Sequence, residues 1–238
     1  MSAPTPPFAR ELELLQNGEL NVVAQLAGSS NLTFVLEATR SEEYGWAIYK
    51  PELGERPLRD FAPGLHAREV AAFRLSEHLG WHIVPPTVTR EDGPFGIGSV
   101  QWYIENDGLH YFPLLETRPD LHAQLRRIAV FDILTNNTDR KSGHVLLDAD
   151  DHVWGIDHGL CFSAAPKLRT VIWDFAGEQI DESLLSAVEP LMQELPDDVA
   201  VLLDPEEVEA LQRRASRLLR MPHLPHPRSH HNFPWPLV

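Results

Sequence analysis

The stretch "NNTDRKSGH", residues 136 to 144, places an acid, two bases, two amides and an imidazole between an apolar helical pattern and the strand-like "VLLD". A surface turn tolerates such residues, because Asn, Asp, Ser and Gly form local side-chain to backbone hydrogen bonds. A second acid, Asp157, follows in "GIDHGLCF" at the end of another short strand. A carboxylate that orients a hydroxyl and a carboxylate that ligates a divalent cation are two of the groups that phosphoryl transfer needs.

Each polar group near these acids has a candidate role. Asp139 is the candidate base or orienter for an attacking hydroxyl, and Arg140 is available to hold the loop or to compensate charge. Asp157 is the candidate ligand for magnesium, since hard carboxylate oxygens suit that ion. His144, five residues after Asp139, occupies the place expected for a second metal ligand. Taken singly, each acid is also compatible with an ordinary turn or cap.

The first half of the chain offers groups that could bind phosphate. Lys50 closes the apolar strand pattern "WAIY" and could reach inward as a point charge, although a solvated strand-end lysine has the same pattern. Glu69 heads the next helical pattern and could pair with Lys50, while Glu55 is a rival partner closer in sequence. The turn "GSSN", residues 28 to 31, could present backbone N–H groups to phosphate oxygens or serve as an ordinary hairpin turn.

The elements that would position these residues change character along the chain. Alternating patterns such as "NLTFVLEATR" and "YGWAIYKP" predict an antiparallel meander, whereas "DLHAQLRRIAVFDILTNN" and "DPEEVEALQRRASRLLR" predict helices. Asp204, Pro205 and Glu207 form a helix-start signature. We therefore predict a flexible lead-in over residues 1–12, a β-rich N-lobe over 13–105, a mainly helical C-lobe over 106–221, and a Pro/His-rich tail over 222–238.

Composition restricts the function classes. The chain has 238 residues, 43% of them hydrophobic and 23% charged, as in soluble globular proteins. Its net charge of −15 opposes nonspecific attraction to nucleic acid, so we expect no nucleic-acid partner. The single cysteine, Cys161, excludes an intrachain disulfide and favours a reducing compartment. No apolar run is long enough for a transmembrane segment and the first residues do not read as a secretory signal, so we predict a cytoplasmic protein.

Three motifs in order resemble the phosphatidylinositol 3-/4-kinase superfamily, and most closely the type II phosphatidylinositol 4-kinases. "REVAAFRLSEHLGWHIVPPTVTR", "NNTDRKSGHVLLD" and "GIDHGLCF" are similar to that family's REVAAY-type helix with LVPxT, its NTDRGxxNW catalytic loop and its IDNGLAF metal-binding motif. The resemblance covers about residues 20 to 165. It implies an α+β, two-lobed protein-kinase-like (phosphoinositide-kinase-like) fold and the cofactors ATP and Mg²⁺.

The resemblance also implies site roles, position by position. It implies that Ser29, Ser30 and Asn31 lie in the phosphate loop and that Lys50 contacts ATP phosphates. Residues 100 to 103, with Gln101 and Tyr103 as nucleotide-binding candidates, would form the adenine-facing linker. Asp139 would be catalytic and Asp157 would hold magnesium.

Two departures from the family pattern bear on function. His144 replaces the metal-ligating asparagine of the family loop, and imidazole suits manganese or zinc better than magnesium, so Mn²⁺ is an alternative metal. In addition, little chain remains after residue 165 for the lipid-binding elements of the eukaryotic enzymes.

Three functional hypotheses follow. The leading one is an ATP-dependent phosphotransferase acting on a protein or small hydroxyl acceptor. The alternatives are a nucleotide-binding pseudokinase that serves a partner, and an enzyme of the same fold that transfers another part of ATP. The tail histidines His223, His226, His230 and His231 could also bind a metal, but no acid or cysteine lies in register with them.

Overall fold

The computed structural model describes residues 8–27, 31–59 and 61–238. The chain divides into an N-terminal unit, Met1–Val70 with Pro85–Ile104, and a C-terminal unit, Ala71–Val84 with Glu105–Val238. The division falls within helix α2, Leu65–His78. The sequence had placed this whole helix in the N-lobe, whereas its C-terminal part belongs to the second unit.

The N-terminal unit contains a five-stranded antiparallel sheet in the order β1-β2-β3-β5-β4. The predicted strand patterns correspond to its strands, whose bounds are β1 Glu19–Gln25, β2 Phe34–Arg40, β3 Glu43–Pro51, β4 Thr87–Gly93 and β5 Gly96–Trp102. Alternate residues of β2 and β3 are buried on one face, as period-two patterns require.

Helix α1, Ala9–Asn17, covers the buried face of this sheet. Leu15 has no exposed surface and packs with Leu36, Tyr49 and Val100. The predicted flexible lead-in through residue 12 is wrong for residues 9–12, because the leucines of "ELELL" have a core to pack against. Residues 1–7 of that lead-in lie outside the described residues.

The C-terminal unit is mainly helical, as predicted. Its helices are α3 Tyr111–Thr117, α4 His122–Thr135, α5 Glu182–Val188, α6 Asp197–Ala200 and α7 Pro205–Arg220. The two short strands that the sequence places before and after the turn at residues 148–151 are β6 Val145–Leu147 and β7 Val153–Gly155, which pair antiparallel as a hairpin. The Asp204 and Glu207 side chains form the expected capping box at the start of α7. No helix in the described ranges is long and apolar enough to cross a membrane.

Candidate functional site

Helix α4 ends at a residue that turns the chain into the candidate loop. Asn136 has a left-handed backbone with φ 54°, a conformation that Asn adopts more readily than most residues. Its Nδ2 donates to Ser163 O at 2.8 Å and Ala165 O at 2.7 Å, and its Oδ1 accepts from Lys167 N at 3.0 Å. One side chain therefore fixes both the helix end and the segment that follows "GIDHGLCF".

The next two polar residues also serve the loop itself. Asn137 Oδ1 accepts from Asp139 N at 2.9 Å, while its Nδ2 donates to Asp132 Oδ1 at 3.0 Å. Thr138 pairs with Leu160 O through both its backbone N–H and its hydroxyl. Because Asn136, Asn137 and Thr138 are buried and used internally, they present Asp139 and are not themselves ligand groups.

Asp139 keeps a partly exposed carboxylate, with 28% of its side-chain surface accessible. Burial raises the pKa of this carboxyl above its ordinary value, although Lys141, with Nζ 3.4 Å from Asp139 Oδ2, lowers it. The Asp157 charge raises the same pKa further. A raised pKa makes Asp139 a better proton acceptor when a hydroxyl is attacked.

Arg140 holds the loop from inside the C-terminal unit. Its guanidinium has no exposed surface and forms an ion pair with fully buried Asp132 of α4, at 3.0 Å from Nη2 to Oδ1. Nη1 donates to His144 O at 3.1 Å and Ile156 O at 2.6 Å, and Nη2 lies 2.7 Å from His158 Nε2. Burial lowers the pKa of Arg140, but the acidic groups around it, Asp132 foremost, together raise that pKa above its ordinary value, so the guanidinium stays charged.

Arg140 was one of two catalytic candidates, with roles in holding the loop or in compensating charge. Every nitrogen of its side chain contacts a protein group, and none of its surface is accessible to a ligand. The structure thus supports the first role, and we treat Arg140 as a positioning residue.

The two candidate metal ligands lie side by side in the C-terminal unit. His144 Nε2 is 3.3 Å from Asp157 Oδ2, and Asp157 is 46% exposed at its side chain. Asp157 follows β7 with φ 62°, a left-handed conformation that aims the residue away from the strand path. Within the described ranges, no group of three or more His, Cys, Asp or Glu side chains is arranged to hold a metal.

A carboxylate with an imidazole beside it fits a divalent cation whose remaining ligands come from water and substrate phosphates. Magnesium is commonly held by one or two carboxylates, with water and substrate phosphates completing the shell. The half-exposed Asp157 carboxylate suits that mode, and an imidazole beside it extends the choice to manganese.

The N-terminal unit resolves the choice of partner for Lys50. Lys50 Nζ is 2.5 Å from Glu69 Oε1, and Glu69 is 3% exposed. Glu55 instead accepts hydrogen bonds from the backbone N–H groups of Gly64, at 2.8 Å, and His66, at 3.1 Å. The buried carboxylate of Glu69 therefore orients a lysine whose side chain remains 25% exposed.

Strand register puts several nucleotide candidates on one face of the sheet. Lys50 is opposite Ser99, and Ile48 is opposite Gln101, so these residues share the face that α1 does not cover. The Gln101 side chain is buried and donates to Thr87 Oγ1 at 2.9 Å, so it supports the sheet. Tyr103 is 41% exposed and its N–H donates to Trp46 O at 3.0 Å.

The proposed phosphate loop is only partly described. Ser29 and Ser30 lie outside the described residues. Asn31 Oδ1 accepts from Arg56 N at 3.0 Å, and its carbonyl accepts from the Thr33 hydroxyl at 3.2 Å. The Asn31 side chain thus ties this loop to the segment that follows β3.

Sequence reasoning missed two residues of this site. Asp132 is a charged residue in an otherwise apolar helical stretch, and that isolated acid was an available signal for a buried partner. Lys141 directly follows the Asp139-Arg140 pair, but its proximity to the Asp139 carboxylate required the folded loop.

Comparison with known proteins gives this site its context. No protein-family model matches the chain. Protein Rv2133c of Mycobacterium tuberculosis is 40% identical across 95% of each chain. The chain belongs to the same family as Rv2133c. The chain is also more distantly similar to phosphatidylinositol 4-kinase gamma 4 of Oryza sativa, with 28% identity over 67% of the chain.

The Arabidopsis thaliana phosphatidylinositol 4-kinase gamma 4 is 31% identical over 51% of the chain. The matched segments span only 34% of the rice protein and 24% of the Arabidopsis protein. These similarities confirm the predicted phosphatidylinositol-kinase-like superfamily for this member of the Rv2133c family.

Solved structures confirm the kinase-like α+β fold. The Golgi casein kinase with Mn/ADP bound aligns with a TM-score of 0.54 at 13% identity, over 89% of this chain and 74% of that one. The Helicobacter pylori proinflammatory kinase CtkA aligns with a TM-score of 0.53 at 12% identity, over 88% of this chain and 94% of that one. At such low identity these likenesses establish the fold of the Rv2133c family member and not its substrate.

Replacing Asp132 with Asn should strongly destabilise the protein, because it leaves the Arg140 guanidinium buried without a counter-charge. Breaking a buried ion pair from one side costs about 3–5 kcal/mol. Urea denaturation would measure the loss. Asp92→Asn is the matched control, since Asp92 pairs with Arg90 but is 77% exposed, and it should unfold close to the wild type. Equal stability of the two variants would contradict the role of the pair.

Replacing Lys141 with Met should raise the pKa of Asp139 further, because the nearest positive charge is removed while burial remains. The carboxylate would then protonate at a higher pH than in the wild type. Carbon-detected NMR titration of labelled aspartates, with Asp139→Asn to assign the signal, would measure the midpoint. Lys141→Arg keeps the charge and should titrate near the wild type; an unchanged midpoint in Lys141→Met would refute the coupling.

Proposed function

We propose that this protein is an ATP-dependent phosphotransferase that transfers the γ-phosphoryl group to a hydroxyl of a protein or small-molecule acceptor. The observation that carries the proposal is the C-terminal unit's loop, in which a buried ion pair holds Asp139 while Asp157 and His144 lie together. A kinase-like fold and the Lys50–Glu69 pair support it from the N-terminal unit.

In this proposal Lys50 binds nucleotide phosphate oxygens. Phosphoryl transfer needs mainly positioning and charge neutralisation, and an ammonium held by a buried carboxylate provides a fixed positive charge. Tyr103 and the neighbouring backbone of β5 would contact the base, since the Gln101 side chain is engaged with Thr87. Ser29, Ser30 and Asn31 remain candidates for the phosphate loop on the strength of the family resemblance.

Asp157, with His144, would hold a magnesium or manganese ion. Such an ion supplies positive charge that neutralises the phosphate oxygens when it is bound. In this chain the Arg140 guanidinium fixes the backbone carbonyl of His144, one candidate ligand, and that of Ile156, the residue before the other. The protein's own contribution is thus a pre-set distance between a carboxylate and an imidazole.

Asp139 would orient the acceptor hydroxyl and take its proton. The acceptor oxygen forms a bond to the γ-phosphorus as the bond between that phosphorus and the β,γ-bridging oxygen breaks, and ADP leaves. The hydroxyl proton passes to Asp139, whose pKa is raised by burial.

We propose a polar acceptor and not a phosphoinositide in a membrane. The net charge of −15 opposes approach to an anionic lipid surface. The matched region is also a minor part of the plant phosphatidylinositol kinases. A cytoplasmic setting is part of the proposal, supported by the presence of a single cysteine, Cys161, which is buried.

Asp139→Asn should lower turnover by about 10²- to 10⁴-fold while nucleotide binding persists, because only the proton acceptor is lost. Calorimetry with ATP and magnesium or manganese would measure binding. Mass spectrometry of the protein and of candidate acceptors after incubation with ATP would show which group moved. Asp92→Asn is a control, because that carboxylate is 77% exposed and pairs with Arg90 in β4 of the N-terminal unit. Undiminished transfer in Asp139→Asn would end the assignment.

A second candidate function is a nucleotide-binding module without turnover, and the hydrogen bonding of His144 favours it. His144 Nδ1 accepts from Lys141 N at 3.4 Å, so the neutral ring carries its proton on Nε2, facing Asp157. An Nε2–H group donates to a carboxylate and has no lone pair for a metal. In that arrangement Asp157 alone would hold the ion.

His144→Asn separates the two functions, because asparagine restores the family's neutral oxygen ligand. If His144 limits metal binding, the variant should bind ATP with magnesium more tightly by about tenfold, and transfer should appear or increase. Calorimetry paired with the mass-spectrometric assay measures both quantities. His78→Asn is the control histidine, since His78 is 44% exposed and pairs with Asp198 of α6, and both residues are more than 40 positions in sequence from either candidate ligand. Transfer of an adenylyl group in place of a phosphoryl group would favour the remaining hypothesis.

A further inference from the structure

The Pro/His-rich segment of residues 222–238, called the strap from here on, is attached to the C-terminal unit along its length. Its first residues pair antiparallel with residues 177–180. Ile180 N donates to Pro222 O at 2.8 Å, Leu224 N donates to Glu178 O at 2.9 Å, and Gly177 N donates to Leu224 O at 2.8 Å. Leu224 is 5% exposed. The strap is therefore a packed element of this unit.

Asn232 fastens the middle of the strap to the segment 168–173. Its Nδ2 donates to Leu168 O at 3.1 Å, and its carbonyl accepts from Thr170 N at 3.1 Å and Trp173 Nε1 at 3.2 Å. Its Oδ1 accepts from the backbone of Arg228, at 2.9 Å, and of Ser229, at 3.2 Å, which closes the turn before it. One side chain thus shapes the strap and binds it to its neighbour.

The other side of the segment 168–173 pairs with the loop that carries Asp139. Arg140 N donates to Arg169 O at 3.0 Å, and Val171 N donates to Arg140 O at 3.0 Å, which makes a parallel bridge between Arg140 and Thr170. The Thr170 hydroxyl also lies 3.3 Å from Asp132 Oδ2. Residues 169–171 are consequently held between the strap and the residue that follows Asp139.

The strap also reaches the loop directly. Ser142 N donates to Leu237 O at 2.8 Å, three residues after Asp139. The Ser142 hydroxyl is 2.6 Å from His110 Nδ1 and accepts from Phe112 N at 3.2 Å. Backbone carbonyls of the strap accept in most of these contacts, as suits a proline-rich segment that is poor in N–H donors. Leu224 N and Asn232 Nδ2 are the donors from the strap in the contacts described above.

We propose that Asn232 is a positioning residue for phosphoryl transfer, which acts by holding segment 168–173 against Arg140 and so fixes Asp139. The expected effect of Asn232 on the rate of phosphoryl transfer rests on the proposed function, whereas its expected effect on the order of the loop does not. Near-attack geometry is sensitive to displacements of about 1 Å, which can cost up to about 100-fold in rate even from distant changes. Asn232 would therefore affect turnover and leave nucleotide affinity unchanged.

The test compares Asn232→Ala with His231→Ala in the full chain. Asn232→Ala removes the Leu168 tie and the turn closure, whereas His231→Ala retains the backbone N–H that bonds Ser229 Oγ. Asn232→Asp is a second, near-isosteric variant that keeps the turn-closing oxygen but replaces the donor to Leu168 with an acceptor. Turnover is counted per protein molecule that binds ATP, and hydrogen exchange is followed in peptides covering residues 137–144 and 166–173.

The expected result is at least about a tenfold fall in turnover for Asn232→Ala and Asn232→Asp, with ATP affinity unchanged, and faster exchange in both peptides. If Asn232 only stabilised the fold, its variants would yield less ATP-binding protein, but each molecule that binds ATP would turn over at the wild-type rate. That result would overturn the proposal. Hydrogen exchange at the wild-type rate in the peptide covering residues 137–144 of Asn232→Ala would also overturn the proposal. If the wild type transfers nothing, the proposed function fails, and the exchange data alone decide whether Asn232 fixes the loop.

Discussion

The buried ion pair between Asp132 and Arg140 is the constraint on which the rest of the C-terminal unit depends. Removing two charges from water costs several kcal/mol per ion, and their attraction offsets this only when the remaining donors are also satisfied. Arg140 meets that condition with the carbonyls of His144 and Ile156 and the ring of His158. The energetic requirement therefore fixes the backbone on both sides of the hairpin relative to α4.

This constraint explains why "NNTDRKSGH" is compatible both with a turn and with a catalytic loop. Its buried amides and threonine form the turn, as their intrinsic preferences predict. Its acid, Asp139, stays partly exposed, while the amides, the threonine and Arg140 are among the side chains of the loop that are buried. The two interpretations describe different side chains of one segment and are not alternatives.

Local signals in the sequence were sufficient for the strands, for the main helices and for the capping box of α7, because each depends on neighbours within a few residues. The Lys50 partner was not decidable from the sequence, since Glu55 and Glu69 are both within reach until the chain folds. Asp132 was missed because its partner lies eight residues on, across a helix end. The contacts of the strap with segments 168–173 and 177–180 and with Ser142 join residues more than 40 positions apart, and no periodicity encodes them.

Two positions at which the loop departs from the family's NTDRGxxNW pattern have a common electrostatic consequence. Lys141 stands in place of the family glycine and lies near Asp139, and His144 stands in place of the asparagine and lies near Asp157. Asp139 thus has a lysine and Asp157 an imidazole as a near neighbour, in a chain whose net charge is −15. Electrostatic interactions between groups about 3–4 Å apart in a partly buried site are stronger than those with distant surface charges, because salt screens the distant charges. Under the proposed function, these local pairs would therefore affect how Asp139 meets the acceptor hydroxyl and Asp157 the metal more than the acidic surface would.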